Sequence, residues 1–245
     1  MIVGFIGSGS MAAAMARGWA GSFEGMLFSD SGSGRAQALA DELGGEVAAN
    51  AEIAERADLV VVAVKPAKLD EVAPDLGAAK RVVSILAAVT VARLNDAFPG
   101  AEVLRVMPNV GVEVKKGVLC VAGEASEAVR GKLELLGHVV ELPDSDFDAA
   151  TAVMGCAPAY LALAVEAIAD AGAANGLDPE LSRQLVVETA VGTAELLRAH
   201  DPAAVQKAVA SPGGSTEAGL KALDREGART AFAAAVEASL ERMRG

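Results

Sequence analysis

Residues 2–12 read Ile2-Val3-Gly4-Phe5-Ile6-Gly7-Ser8-Gly9-Ser10-Met11-Ala12. A short β-branched and aromatic run leads into a Gly-x-Gly-x-x-Ala turn, and an alanine-rich helical stretch over residues 11–20 follows it. Strand, glycine turn and helix in that order give the context in which this otherwise weak motif reads as a dinucleotide-binding fingerprint. Gly7 permits the tight turn, Gly9 lets the backbone approach a pyrophosphate, and Ala12 is small enough for the helix to pack on the strand. Free N–H groups and the positive end of the helix dipole then face the phosphates. An ordinary glycine turn is the competing reading, and the fingerprint is silent about chemistry.

Working outward, short apolar runs alternate with helical segments as far as residue 143. The runs cover residues 2–6, 26–29, 46–48, 59–64, 82–85, 103–106, 118–122 and 139–142. This rhythm predicts a mostly parallel sheet wrapped by helices. Runs 59–64 and 81–85 do not alternate apolar with polar residues, which places them centrally, covered on both faces. Beyond Pro143-Asp144-Ser145 the strand signals stop and the remainder reads as helix. The division is therefore 1–144, a dinucleotide-binding Rossmann-like α/β domain, and 145–245, an all-helical domain. Over residues 149–175 the only charges are Glu166 and Asp170, so this helix is expected to be buried nearly all round. A helical tail of this size wraps it poorly alone, which predicts a second subunit as cover. Asp178-Pro179 and Asp201-Pro202 each place a capping side chain before a proline suited to a first helical turn. Residues 230–244 carry Phe232, Val236, Leu240 and Met243 on one face.

Composition bounds the function. In 245 residues AVILMFWYC make up 52% but aromatics only 3%, so the core is built from alanine, valine and leucine. A formal charge of −12 and the lack of a Lys/Arg cluster argue against nucleic acid as a partner. The two cysteines, Cys120 and Cys156, are far apart and expected in the core as free thiols, which favours the cytosol. The N-terminal run lacks a basic leader and is read as a strand, not a secretory signal. The uncharged stretch 149–165 contains Gly155 and Pro158 and is not expected to span a membrane.

Several side chains are placed for chemistry. The second strand ends at Ser29-Asp30-Ser31-Gly32-Ser33-Gly34-Arg35, where a Rossmann unit meets the adenosine ribose. Asp30 there suits ribose hydroxyls and NAD, whereas Ser31, Ser33 and Arg35 suit a 2′-phosphate and NADP. Lys65 follows the most apolar strand, at the carboxyl edge where open sheets bind ligands, within reach of a nicotinamide ribose; a solvated lysine is the alternative. Asn109, in Met107-Pro108-Asn109, offers a donor and an acceptor to a cofactor amide, or makes a simple turn. Ser211-Pro212-Gly213-Gly214-Ser215-Thr216 precedes a helix, so its backbone N–H groups and two hydroxyls suit a small carboxylate; a turn with an N-cap is the alternative. No CxxC, HExxH or carboxylate–histidine cluster is present, so no metal is expected, and His138 and His200 lack sequence partners for a hydrolytic triad.

Together, Gly-Phe-Ile-Gly-x-Gly-x-Met-Ala at the start, Ala-Val-Lys-Pro at 63–66, Met-Pro-Asn at 107–109, Gly-x-x-Pro-Ala-Tyr at 155–160 and Ser-Pro-Gly-Gly-x-Thr at 211–216 resemble the pyrroline-5-carboxylate reductase family. The motifs are collinear along essentially the whole chain. The resemblance implies NAD(P)H-dependent reduction of 1-pyrroline-5-carboxylate to L-proline, the last step of proline biosynthesis, by a cytoplasmic homo-oligomer. It implies that the helical domain dimerises, often assembling further into rings such as a decamer. Its motifs carry Gly7, Ser8, Gly9, Ser10, Met11, Ser31, Arg35, Asn50, Ala63, Val64, Lys65, Pro66 and Asn109 into the cofactor site, with NADPH favoured and NADH as the alternative. They carry Ser211, Gly213, Gly214, Ser215 and Thr216 into the substrate site, Thr216 hydrogen-bonding the ring nitrogen as the catalytic residue. Two departures stand out: Cys156 and Ala157 lie between Gly155 and Pro158, and Ala88 follows Ala87, at positions where the family keeps smaller residues. A related cyclic-imine reductase and a non-catalytic dinucleotide-binding regulatory dimer remain as alternatives.

Overall fold

The computed structural model describes residues 1–244. Eight strands are formed: β1 (Ile2–Ile6), β2 (Gly25–Ser29), β3 (Glu46–Val47), β4 (Leu59–Val62), β5 (Arg81–Ser84), β6 (Glu102–Pro108), β7 (Gly117–Gly123) and β8 (Gly137–Glu141). The helices between them are α1 (Ser10–Gly18), α2 (Arg35–Leu43), α3 (Asn50–Arg56), α4 (Leu69–Val72), α5 (Val91–Ala97) and α6 (Glu127–Glu134). Then come α7 (Phe147–Ala150), α8 (Ala157–Ala174), α9 (Pro179–Ala199), α10 (Pro202–Val209), α11 (Ser215–Arg225) and α12 (Ala228–Arg244). The chain divides into two compact units, Met1–Gly155 and the residues from Cys156 onward.

The first unit is one sheet in the order β3-β2-β1-β4-β5-β6-β7-β8. Every pairing is parallel except β6 with β7. β4 is buried at all four positions, as its unbroken valine run requires of a strand covered on both faces. Because β2 lies on one side of β1 and β4 on the other, the connections diverge at the carboxyl ends of β1 and β4. That is the switch point at which open α/β sheets bind ligands. Phe5 stacks on Phe28 at 5.3 Å between centroids, and buried Trp19 packs near Phe5 while its Nε1 donates to Lys132 O at 2.7 Å. With few aromatics available, this cluster supplies much of the bulk on one sheet face.

Further along, Arg105 is 3% exposed within β6, with Val103, Leu104, Val106 and Met107 on either side of it. Its Nη1 donates to Asp144 Oδ1 at 2.7 Å, and Asp144 Oδ2 also accepts from Val91 N–H at the start of α5. The guanidinium lies 4.1 Å from the Phe147 ring centroid, while its Nε is buried without a hydrogen-bond partner.

In the second unit Asp178 and Asp201 cap α9 and α10 through Leu181 N–H and Ala203 N–H. One expectation for its helices is corrected. The helix foreseen over 149–175 is interrupted: α7 passes into a π-helical turn at Thr151–Gly155, and α8 starts anew with Pro158 in its first turn, where a missing N–H costs nothing. Within one chain only Ala169 of α8 is buried, and Leu161, Leu163 and Ile168 are 64, 63 and 59% exposed, on the helix for which a second subunit is expected as cover. Cys120 lies in the core, but Cys156, at the start of α8, is only half-buried. By length and composition the segment Asp144–Ala174 is apolar enough to cross a bilayer.

Candidate nucleotide cleft and carboxylate loop

The switch point opens into a cleft of about 650 Å³. Its floor is the turn after β1. Gly7 has φ +96, and a Cβ there would meet Ala63 O at 2.8 Å, so the backbone of residues 6–9 lies against that of residue 63 as only glycine allows. Gly9 is the N-cap of α1, which has no side-chain cap and no acidic residue in its first turn. The first-turn N–H groups are therefore left for an external acceptor. A Cβ added at Gly9 would meet nothing within 4 Å, which leaves the approach to these donors open. An uncapped helix start, two glycines and an open cleft at the switch point fit a dinucleotide pyrophosphate.

Gly7, Ser8, Gly9, Ser31, Arg35, Asn50, Ala63, Val64 and Lys65 all line the cleft. Ser10, Met11, Pro66 and Asn109 do not. The amide of Asn109 is occupied within the chain: Oδ1 accepts from Gly111 and Val118 N–H, and Nδ2 donates to Met154 O at 3.1 Å. It caps the turn Val110–Val114 and ties it to the end of the π-helical turn. Asn50 is likewise engaged, accepting from Ser29 Oγ at 2.7 Å and donating to Asp75 at 3.2 Å. It braces the end of β2 from the cleft wall.

Sequence reasoning missed Lys68, Glu71 and Val72 in the lining. The signal was available, since Lys68 lies one short helical turn after Lys65. Charged groups in the lining are Arg35, Lys65 and Lys68 against Asp30 and Glu71, a balance of one positive charge in a chain of net −12. Local charge thus opposes the unfavourable global field for an anionic ligand.

The loop over 211–216 precedes α11, whose N-cap is Gly214 with no side-chain cap bond. Its two glycine N–H groups turn inward, contrary to expectation. Gly214 N–H donates to Ser211 O at 2.9 Å and Gly213 N–H to Glu217 Oε2 at 2.9 Å. Glu217 also pairs with Lys221 at 3.1 Å. Its carboxyl is held below the usual range, first by the Gly213 N–H and then by Lys221. A glutamate in the first turn reaching back to the backbone one residue before the N-cap ties the loop to the helix, as half of a capping box does. What remains open to a ligand are the N–H groups of Ser215 and Thr216 and their exposed hydroxyls, neither of which caps the helix. Ala88 has φ +58, a left-handed conformation unusual for a residue with a Cβ.

Fold and cleft together define a Rossmann-type dinucleotide-binding protein with a separate helical unit. A family model described as pyrroline-5-carboxylate reductase dimerisation matches residues 144–245, and one described as NADP oxidoreductase, coenzyme F420-dependent, matches residues 2–88. The pyrroline-5-carboxylate reductase of Synechocystis sp. is 39% identical over 204 residues, 79% of this chain and 76% of the relative. That of Thermus thermophilus is 36% identical over 216 residues, 85% and 82% of the two chains. Among solved structures, the Streptococcus pyogenes 1-pyrroline-5-carboxylate reductase superposes with a TM-score of 0.88 at 27% identity, covering 99% of this chain and 98% of that one. The Plasmodium falciparum pyrroline carboxylate reductase with NADP bound gives 0.85 at 28% identity, with 99% and 97% covered. The chain belongs to the pyrroline-5-carboxylate reductase family.

Proposed function

We propose that this protein reduces 1-pyrroline-5-carboxylate to L-proline with NADPH, as the last step of proline biosynthesis. The observation that carries the substrate assignment is the start of α11. There the Thr216 hydroxyl and the Ser215 and Thr216 N–H groups are uncommitted within a loop otherwise closed on itself.

The residues divide the work. Gly7, Ser8 and Gly9, with the N-terminus of α1 at Ser10 and Met11, receive the pyrophosphate. Ser31, Arg35 and Asn50 border the adenosine portion, and Ala63, Val64, Lys65 and Pro66 the nicotinamide ribose; Asn109 supports this end by holding the chain at Met154. When bound, the reduced nicotinamide supplies the hydride equivalent accepted by the C=N carbon. The substrate carboxylate is held at residues 211–216, the N–H groups of Ser215 and Thr216 donating to it. Thr216, a poor acid, orients an already protonated iminium whose N–H donates to Thr216 Oγ1. The hydride pair would form the new C–H bond, the C=N π pair would move onto nitrogen as its lone pair and the nitrogen would keep its proton, so the chemistry asks the protein for placement and water exclusion more than for a strong acid or base.

We assign nucleotide binding to residues 1–144 and substrate binding with dimerisation to residues 145–245. The apolar face of α8 is then a protein interface and not a membrane span. Further assembly into rings such as a decamer, cytoplasmic residence and the absence of a nucleic-acid partner complete the reading, the last following from the acidic chain. The test is NADPH oxidation by the purified protein with 1-pyrroline-5-carboxylate. Substrate-dependent loss of NADPH with proline formed is the expected result, and no rate above background across neutral pH overturns the reading.

A further inference from the structure

An aspartate at the end of the second strand of a Rossmann unit ordinarily accepts from the ribose hydroxyls and disfavours a 2′-phosphate. Here the Asp30 carboxylate faces its own loop. Oδ1 accepts from Gly32 N–H at 2.8 Å, and Oδ2 accepts from Ser33 Oγ at 2.7 Å and Ala36 N–H at 3.0 Å. Ala36 is the second residue of α2, whose N-cap, Gly34, is left-handed at φ +76 and has no side chain to offer. Asp30 therefore satisfies a helix-start donor that would otherwise be open. The Ala36 N–H first, then the Ser33 hydroxyl, hold its carboxyl down at about 2, so this arrangement persists at any working pH.

The loop closed in this way presents an unusual arginine. Arg35 lines the cleft and makes no ion pair among the described residues. Every other arginine of the Met1–Gly155 unit has a carboxylate partner: Arg17, Arg56, Arg81, Arg93, Arg105 and Arg130. Asp30, the acid closest to it in sequence, has its oxygens taken by other donors. An unpaired guanidinium at the adenosine end of a nucleotide cleft matches a phosphate monoester better than a pair of hydroxyls.

We infer that Asp30 is a specificity-determining positioning residue, folding residues 31–35 into a seat for the 2′-phosphate and so favouring NADPH over NADH. It touches neither ribose hydroxyl. Ser31 Oγ and the Arg35 guanidinium donate to the phosphate, while Ser33 belongs to the frame because its hydroxyl proton goes to Asp30. The inference rests on the nucleotide-dependent reductase reading above.

The experiment is calorimetric binding of 2′,5′-ADP and of ADP to the intact protein, for wild type, Asp30→Ala, Ser33→Ala, Arg35→Ala and the Asp30→Ala/Arg35→Ala pair. Asp30→Ala and Arg35→Ala are each expected to weaken 2′,5′-ADP by about tenfold or more while changing ADP by less than about twofold. In the double variant the two losses should be less than additive, because Asp30 acts in part through the placement of Arg35. Ser33→Ala, which keeps the charge, should shift 2′,5′-ADP in the same direction by a smaller factor, and it decides the matter should Asp30→Ala not fold. KM for NADPH should rise in parallel, by a larger factor than that for NADH. Tighter 2′,5′-ADP with weaker ADP in Asp30→Ala would identify a ribose ligand and overturn the inference, as would equal losses for both nucleotides. Unaltered binding in the variants overturns this inference alone, whereas wild type binding neither nucleotide overturns the reductase reading with it.

Discussion

At the scale of single residues, Thr216 carries the sharpest consequence. A threonine at a helix start is commonly a cap, and replacing a cap costs about 1 kcal/mol. Here the N-cap is Gly214 and the Thr216 hydroxyl does no capping, so that cost is absent. Thr216→Val keeps the shape and removes only the oxygen. Melting temperature and NADPH affinity should stay near wild type while kcat falls by roughly one to three decades, as for loss of one preorganised hydrogen-bonding group. Measuring both on the same preparation decides it: full activity with reduced stability would mean a structural turn and not an active site. The motif residue itself was legible in the sequence. That Gly213 and Gly214 would point their N–H groups inward was not, because Gly213 depends on Glu217 folding back from the first turn of α11, a choice among rotamers that spacing does not encode, and Gly214 on a turn that closes its N–H onto Ser211 O.

At the scale of elements, the strands were readable where burial on two faces forces an unbroken apolar run, as in β4 and β5. Strand direction was not. The β6–β7 pairing is antiparallel, and nothing in residues 117–123 differs in kind from a parallel strand, since direction is set by where the chain returns from. Arg105 was overlooked too, although a charge inside an apolar run signals a buried pair. That pair joins three elements: β6 through Arg105, α5 through Val91 N–H, and the segment leading into α7 through Asp144 itself. Asp144→Ala leaves the guanidinium buried without its counter-charge, with one nitrogen already unpartnered. Because the Asp144 side chain is 30% exposed, water compensates in part, and the expected loss is about 2–3 kcal/mol, below that of a fully buried pair. Arg105→Met, which keeps apolar volume on Phe147 and removes the charge, should lose less. Denaturant midpoints of the two variants check this ordering, and a loss for Asp144→Ala smaller than that for Arg105→Met contradicts it.

At the scale of the whole molecule, two features pull in opposite directions. The chain carries −12 formal charges, so like chains repel over distances comparable to the Debye length. Yet α8 and α9 expose Leu161, Leu163, Ile168, Leu185, Val191 and Leu196, more apolar surface on neighbouring helices than a lone chain ordinarily leaves to water. The composition announced this face through the near absence of charge over residues 149–175, and the dimerisation match over residues 144–245 accounts for it as surface made to be covered by another copy. Apolar association opposed by net charge has a definite salt signature: self-association should tighten as salt rises from about 0.02 M to about 0.5 M, opposite to an interface held by ion pairs. Placing charge on the face tests the assignment directly. Leu161→Glu/Ile168→Glu adds desolvation cost and repulsion together, and in sedimentation at micromolar concentration it should convert an oligomer of at least two chains into monomer. Reductase activity should fall with it, while 2′,5′-ADP binding, which belongs to the Met1–Gly155 unit, persists. A wild-type protein that sediments as a stable, active monomer would remove the interface and demand another account of so apolar a helix.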